Sequence, residues 1–281
     1  MTTPRPILRP GPTGKDQLGM EASVDAYFDK LMPIFKEDYR VLADDGSLWV
    51  NINDCADNGQ YNAVPQKFLL RMLEMGWIFN DEIIWIKNNP TYTRGKRSVR
   101  SHEPIFHFVK TDKFFYTDDW LKGLTDPDNL ISYGTNNVNP KIISGLDFRD
   151  GVLRTNVANT SALKKECFEK KGFYMTHNAT FPLDVPTVCG LLTTEPGDTI
   201  LDCCSGTSSV GEFAILTNRN FIGYEVKSEF VMASEVQMSR HPYPTTIEYN
   251  VKNGVNVKAK ALLLVIIFAN NKFHQIFYLS A

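Results

Sequence analysis

Between Thr199 and Glu225 an apolar run ends in an acid. A turn of small residues follows, then a helical stretch, then a second apolar run ending in an acid. The residues are Thr199-Ile-Leu-Asp-Cys-Cys-Ser-Gly-Thr-Ser-Ser209 and Asn220-Phe-Ile-Gly-Tyr-Glu225. This order reads as a strand–turn–helix–strand unit of the kind that holds a nucleoside cofactor. Small turn residues let the backbone approach a ligand, and the second acid suits ribose hydroxyls. Gly206-Thr-Ser-Ser209 is not a full glycine fingerprint. A positive φ at Ser208 would cost on the order of 1 kcal/mol.

The 281 residues suffice for one large α/β domain or two small ones. A hydrophobic content of 43% with 22% charged residues supplies a sizeable core and excludes global disorder. The net charge of -2 means that any polyanion contact must come from a local patch. One exists. From Lys87 to Lys113, seven cationic and two acidic side chains give a local +5. Its arm, Thr91-Tyr-Thr-Arg-Gly-Lys-Arg-Ser-Val-Arg100, interleaves an aromatic with cations, which suits phosphate contact and base stacking. A solvated charged loop is the bland alternative.

The five cysteines are odd in number and lack metal-ligand spacing. No metal is expected, and adjacent Cys203 and Cys204 read as packing residues. The first residues are rich in Pro, Gly and Thr and do not resemble a signal peptide. A reducing, intracellular setting is the expectation. Ala261–Ala269 is apolar throughout, too short for a bilayer span of about twenty residues but suited to a buried strand. No membrane partner is expected.

Periodicity predicts a helix over Ser23–Leu42, capped by Ser23 and kinked or broken at Pro33. Ala43–Gly46 reads as a turn and Ser47–Ile52 as a buried strand. A helix is expected over Pro65–Gly76, strands over Glu82–Ile86 and Ile105–Val109, and helices over Pro182–Leu192, Val210–Thr217 and Phe230–Met238. Residues 111–176 lack periodicity, although Phe114, Phe115, Tyr116 and Trp120 argue for partial order. Two further segments carry polar groups. His177-Asn-Ala-Thr-Phe-Pro182 precedes the helix leading to the cofactor strand; read locally, it is structural. His102-Glu103 opens a strand and is either an acid–base pair or, more simply, a strand-edge pair.

Seven segments in one order carry a resemblance. They are Gly19-Met-Glu-Ala-Ser-Val-Asp-Ala-Tyr-Phe28, Arg40 to Asp54, Gly76 to Lys87, Ser101 to Lys110, His177 to Pro182, Pro196 to Asp202 and Phe221 to Glu225. The order resembles that of the DNA amino-methyltransferases, which make N4-methylcytosine or N6-methyladenine. It is similar to their beta arrangement, with the catalytic half first and the cofactor half last. The resemblance implies an α/β fold: a Rossmann-like, mostly parallel sheet with helices on both faces and an irregular target-recognition insert. It implies a leader over 1–19, a catalytic half over 20–110, the insert over 111–176, a cofactor half over 177–245 and an atypical apolar tail over 246–281. It implies S-adenosyl-L-methionine bound by Asp202, Cys203, Ser205, Gly206 and Thr207, with Glu225 on the ribose. Asn178, Thr180, Phe181 and Pro182 would face the methionine moiety. Double-stranded DNA would meet Lys87, Arg94, Lys96, Arg97 and Arg100, with the target base flipped out.

The family's polar-Pro-Pro-aromatic loop, which accepts hydrogen bonds from the exocyclic amine, is not found. Residues 1–18 contain Arg9-Pro-Gly-Pro12 instead, and no catalytic residue is assigned. The strand before that loop would lie between the cofactor strand and Leu48–Ile52, so N-terminal sheet structure is expected to be missing. Truncation, a complementing subunit, or a permuted strand from Ala261–Ala269 would each account for this; truncation is the main expectation. A homodimer is equally compatible. A catalytically dead DNA- or partner-binding module is the alternative function. A nicotinamide-dependent dehydrogenase would rest on the opening unit alone.

Overall fold

The computed structural model describes residues 18–57, 60–90, 96, 98–121, 143, 145–175, 180, 182–225, 227–241, 248–250, 263–266 and 273–279. Helix α1 (Val24–Val41) begins where Ser23 Oγ accepts the Ala26 amide at 3.1 Å. Pro33 does not end it: the helix runs through the proline. Pro33 and Asp29, the residue whose carbonyl it cannot bond, both sit on the exposed face, where water can serve. Strand β1 (Leu42–Asn51) starts earlier than expected and absorbs the predicted Ala43–Gly46 turn. The Thr111 hydroxyl donates to the Asp44 carbonyl at 3.0 Å, and the Phe115 amide to the Asp45 carbonyl at 3.0 Å, holding these residues extended.

A small hairpin, β2 (Ala56–Asp57) and β3 (Gln60–Tyr61), leads into α2 (Val64–Glu74). Next come β4 (Ile78–Lys87), β5 (His102–Val109), β6 (Asp147–Arg149), β7 (Val152–Thr155) and α3 (Ser161–Lys171). The region expected to be irregular therefore contains a hairpin and a helix. The chain continues with α4 (Asp184–Thr193), β8 (Thr199–Asp202), α5 (Ser209–Leu216), β9 (Asn220–Glu225) and α6 (Ser228–Met238). Last are β10 (Glu248–Asn250), β11 (Leu263–Ile266) and β12 (Phe273–Leu279).

All strands except the small hairpin join one sheet, in the order β10-β11-β9-β8-β12-β1-β5-β4-β7-β6. Pairs β9–β8, β8–β12, β12–β1 and β4–β7 are parallel, and β1, β5 and β4 alternate in direction. Thus β9, β8, β12, β1, β4 and β7 share one direction. The slot expected to stand empty beside β8 holds β12, with Gln275, Ile276 and Phe277 opposite Ile200, Leu201 and Asp202. The segment weighed as a permuted filler, within 261–269, supplies β11 on the far side of β9. Residues 1–17 lie outside the described residues.

Strand periodicity divides the core into two layers. Trp49, Ile105, Ile200 and Phe221 face α4 and α5, packing on Val188, Cys189 and Phe213. Leu48, Val50, Phe106, Phe108 and Leu201 face α1 and α2, packing on Tyr27, Phe28, Phe35 and Phe68. Helices cover both faces, so function is confined to the sheet's edges. Among the described residues no helix is long and apolar enough to cross a membrane.

Candidate functional site

In a doubly wound sheet, ligands meet the carboxyl ends of the parallel strands. Asp202 stands at that end of β8, almost fully buried, its Oδ1 accepting the Cys204 amide at 3.1 Å. Burial holds its pKa above the ordinary carboxylate value. The turn that follows is fixed on all sides. The Ser205 amide donates to the Tyr224 carbonyl at 2.9 Å, and the Ser208 amide to the Ser205 carbonyl at 2.7 Å. Ser208 sits at φ 63°, ψ 47°, the left-handed conformation considered from sequence. Ser208 Oγ donates to Ser234 Oγ at 3.0 Å, and Ser234 Oγ lies 2.9 Å from the Gly206 carbonyl, tying the turn to α6.

Glu225 closes the unit from β9. Its Oε2 accepts the Gly206 amide at 2.9 Å and its Oε1 the Lys227 amide at 2.8 Å. Gly223 makes this closeness attainable: a Cβ there would lie 3.0 Å from Ser205 Cβ and 2.8 Å from the Phe221 ring. Thr180 Oγ1 meets Thr207 Oγ1 at 3.2 Å, bringing the segment before α4 onto the turn. Ser205 Oγ is buried with no hydrogen-bond partner among the described residues. Beneath the turn, Cys203 Sγ donates to Asp38 Oδ1 at 3.3 Å. Asp38 is buried on α1, and burial pushes its pKa well above the usual value. Burial likewise pushes the Cys203 and Cys204 thiols up, so neither is a ready thiolate.

A second polar group occupies the same edge across the sheet. Asn53 and Asp54 follow β1, Lys87 ends β4 and Glu103 begins the antiparallel β5. Glu103 is 3% exposed and accepts from Asn53 Nδ2 at 2.5 Å and from Lys87 Nζ in an ion pair. Lys87 also lies over the Trp85 ring. The Asp54 carboxylate accepts the amides of Cys55, Ala63 and Val64 at 2.9–3.1 Å, capping α2, and lies 3.7 Å from Arg100 Nη1. His102 is exposed while Glu103 points inward, so they are no acid–base pair.

The structure brings Asp202, Cys203, Ser205, Gly206, Thr207, Glu225 and Thr180 together. Pro182 stands half-buried at the entrance to α4. Asn178 and Phe181 lie outside the described residues, as do Arg94 and Arg97. Lys96 is exposed. Lys87 and Arg100, grouped with them, also form ion pairs with Glu103 and Asp54. Sequence reasoning missed Asp38, Asn53 and Asp54. Only Asp54 had a signal, an acid ahead of the helix expected from Pro65.

A family model described as DNA methylase (N6_N4_Mtase) matches residues 8–236. The Type II methyltransferase M.Cfr9I of Citrobacter freundii is 30% identical over 246 residues, 77% of this chain and 72% of its own. M.SmaI of Serratia marcescens is 26% identical over 255 residues, covering 80% and 78%. Among solved structures, the cytosine-N4-specific PvuII DNA methyltransferase superposes with a TM-score of 0.61 at 20% identity, covering 82% of this chain and 76% of its own. A protein from Thermus thermophilus, TTHA0409, described as a DNA modification methylase and solved with S-adenosyl-L-methionine, gives 0.54 at 18%, covering 77% and 78%. The structural matches show the shared α/β fold. With most of its length covered by the family model, the chain belongs to the N6_N4_Mtase family of DNA methylases.

Proposed function

We propose that this chain is a DNA amino-methyltransferase that holds S-adenosyl-L-methionine on the Asp202–Glu225 edge and presents an exocyclic amine of cytosine or adenine to it. The observation that carries the reading is the Glu225 carboxylate gripping the Gly206 amide, which shapes the turn at the strand ends. The residues fit the cofactor. Ser205 Oγ is an orphaned buried hydroxyl, and a Cβ at Gly223 would crowd the turn from β9. A carboxylate has about four lone-pair sites, so Glu225 can receive ribose hydroxyls while keeping its two amides. When bound, S-adenosyl-L-methionine supplies a sulfonium methyl group transferable in line to nitrogen. Asp202, Cys203, Ser205, Gly206 and Thr207 frame its site, with Asn178, Thr180, Phe181 and Pro182 over the methionine end. Positioning, with no covalent enzyme intermediate, is what the protein contributes.

The partner is double-stranded DNA, met by Lys87, Arg94, Lys96, Arg97 and Arg100, inside the cell. Tritiated-methyl transfer to DNA tests the reading: incorporation supports it, and none by a cofactor-binding chain sinks the activity. A second reading, a binding module without catalysis, rests on residues 1–281 containing no polar-Pro-Pro-aromatic sequence. Titration with S-adenosylhomocysteine separates the two outcomes from an unformed cofactor half: heat of binding without turnover favours the module. A subunit or second copy supplying the loop would instead make turnover depend on added partner.

A further inference from the structure

The hairpin beyond β1 carries an aromatic–guanidinium pair with no task in the cofactor site. Tyr61 is 45% exposed, and the Arg100 guanidinium lies 5.1 Å from its ring centroid. Arg100 is in turn held 3.7 Å from the buried Asp54 carboxylate, which three backbone amides fix in place. Asp54 offsets part of the charge of Arg100, so phosphate attraction is the smaller share of what the pair offers. What remains is a flat, steadied aromatic surface, and such surfaces stack on nucleobases. It stands at the carboxyl end of β1, on the edge that carries Asp202 and Glu225.

An enzyme that reacts with an exocyclic amine takes its base out of the duplex, leaving the opposite base unpaired and the stack interrupted. We infer that Tyr61, steadied by Arg100 and Asp54, stacks against the base left behind, so the duplex with an interrupted stack is its ligand. This rests on the amino-methyltransferase reading.

The test uses the full chain and two labelled duplexes of one sequence, one fully paired and one with a single abasic site, compared by fluorescence anisotropy. The wild-type chain should bind the abasic duplex roughly tenfold more tightly, the scale of one base–aromatic stack. Tyr61→Ala should abolish that preference while leaving affinity for the paired duplex within about twofold. Tyr61→Phe should retain it. Tyr61 is a surface residue, and matching melting curves will confirm that the variants fold. Equal wild-type affinity for both duplexes, or a preference surviving in Tyr61→Ala, overturns the inference and leaves the methyltransferase reading standing. Binding to neither duplex overturns both.

Discussion

Ser208 shows how residue chemistry sets the turn after β8. At φ 63° a serine costs on the order of 1 kcal/mol relative to glycine. Its hydroxyl also donates to Ser234, a bond worth about 1 kcal/mol. Ser208→Gly relieves the first and forfeits the second, so its unfolding free energy should stay within about 0.5 kcal/mol of wild type. Ser208→Ala keeps the strain and loses the bond, and should be about 1 kcal/mol less stable. Urea denaturation of both variants checks the ordering; a destabilised glycine variant would refute it. The sequence made the strain at Ser208 foreseeable, because the turn has serine where glycine is expected. It gave no hint of the Ser234 tie, which depends on α6 packing beneath the turn.

His107 yields a pH dependence. Its ring is buried, stacked on Trp49 at 4.1 Å, with Nε2 2.9 Å from Ser47 Oγ and Nδ1 3.0 Å from Asn80 Nδ2. Burial pushes its pKa down to about 3. An unfolded chain titrates this histidine near 6.5, so between about 6.5 and 3 the unfolded state binds more protons. Its contribution is therefore complete above pH 6.5 and lost as pH falls, by up to about 1.4 kcal/mol per unit. His107→Gln lacks that component. Its stability should fall less steeply than wild type between about pH 6.5 and 4.5, measured by urea midpoints; parallel curves would exclude the effect.

Among the elements, α4 and α5 meet at Gly190. A Cβ there would stand 2.1 Å from the Phe213 ring. Glycine to alanine inside a helix ordinarily gains about 1 kcal/mol. Here overpacking against a ring that is itself fully buried should outweigh that gain, and Gly190→Ala should lose roughly 1–3 kcal/mol. Phe213→Leu in the same chain should recover part of the loss, as thermal unfolding would show. The helices and strands built on strong periodicity, α1, α2, β5, α4, α5 and α6, were legible. The extended course of Ala43–Gly46, read as a turn, was not, because Thr111 and Phe115 hold those residues from far along the chain. Helix α3 was missed because its buried stripe is only Leu163 and Cys167. Its Lys165–Glu169 and Glu166–Lys170 pairs and Gly172 at its end were the available signals.

At the scale of the molecule, the sheet joins a half carrying Asp202 and Glu225 to a half carrying the Glu103 cluster, and β12 lies between them. The two-sided α/β architecture was readable from strand and helix order. The filling of the central slot was not, since nothing local in Phe273–Leu279 names its neighbours. Removing residues 270–281 should unpair β8 from its neighbour on the β1 side. Hydrogen exchange should then accelerate at Thr199–Asp202 while the β4–β5 pair stays protected; unchanged protection of β8 would contradict the sheet order. The position of β12 also sets a timetable for biosynthesis. Both flanking strands leave the ribosome long before the strand that unites them, so the central pairing is a late, non-local and slow step. Until then the nascent chain presents two unpaired parallel edges, a window in which chaperones would hold it.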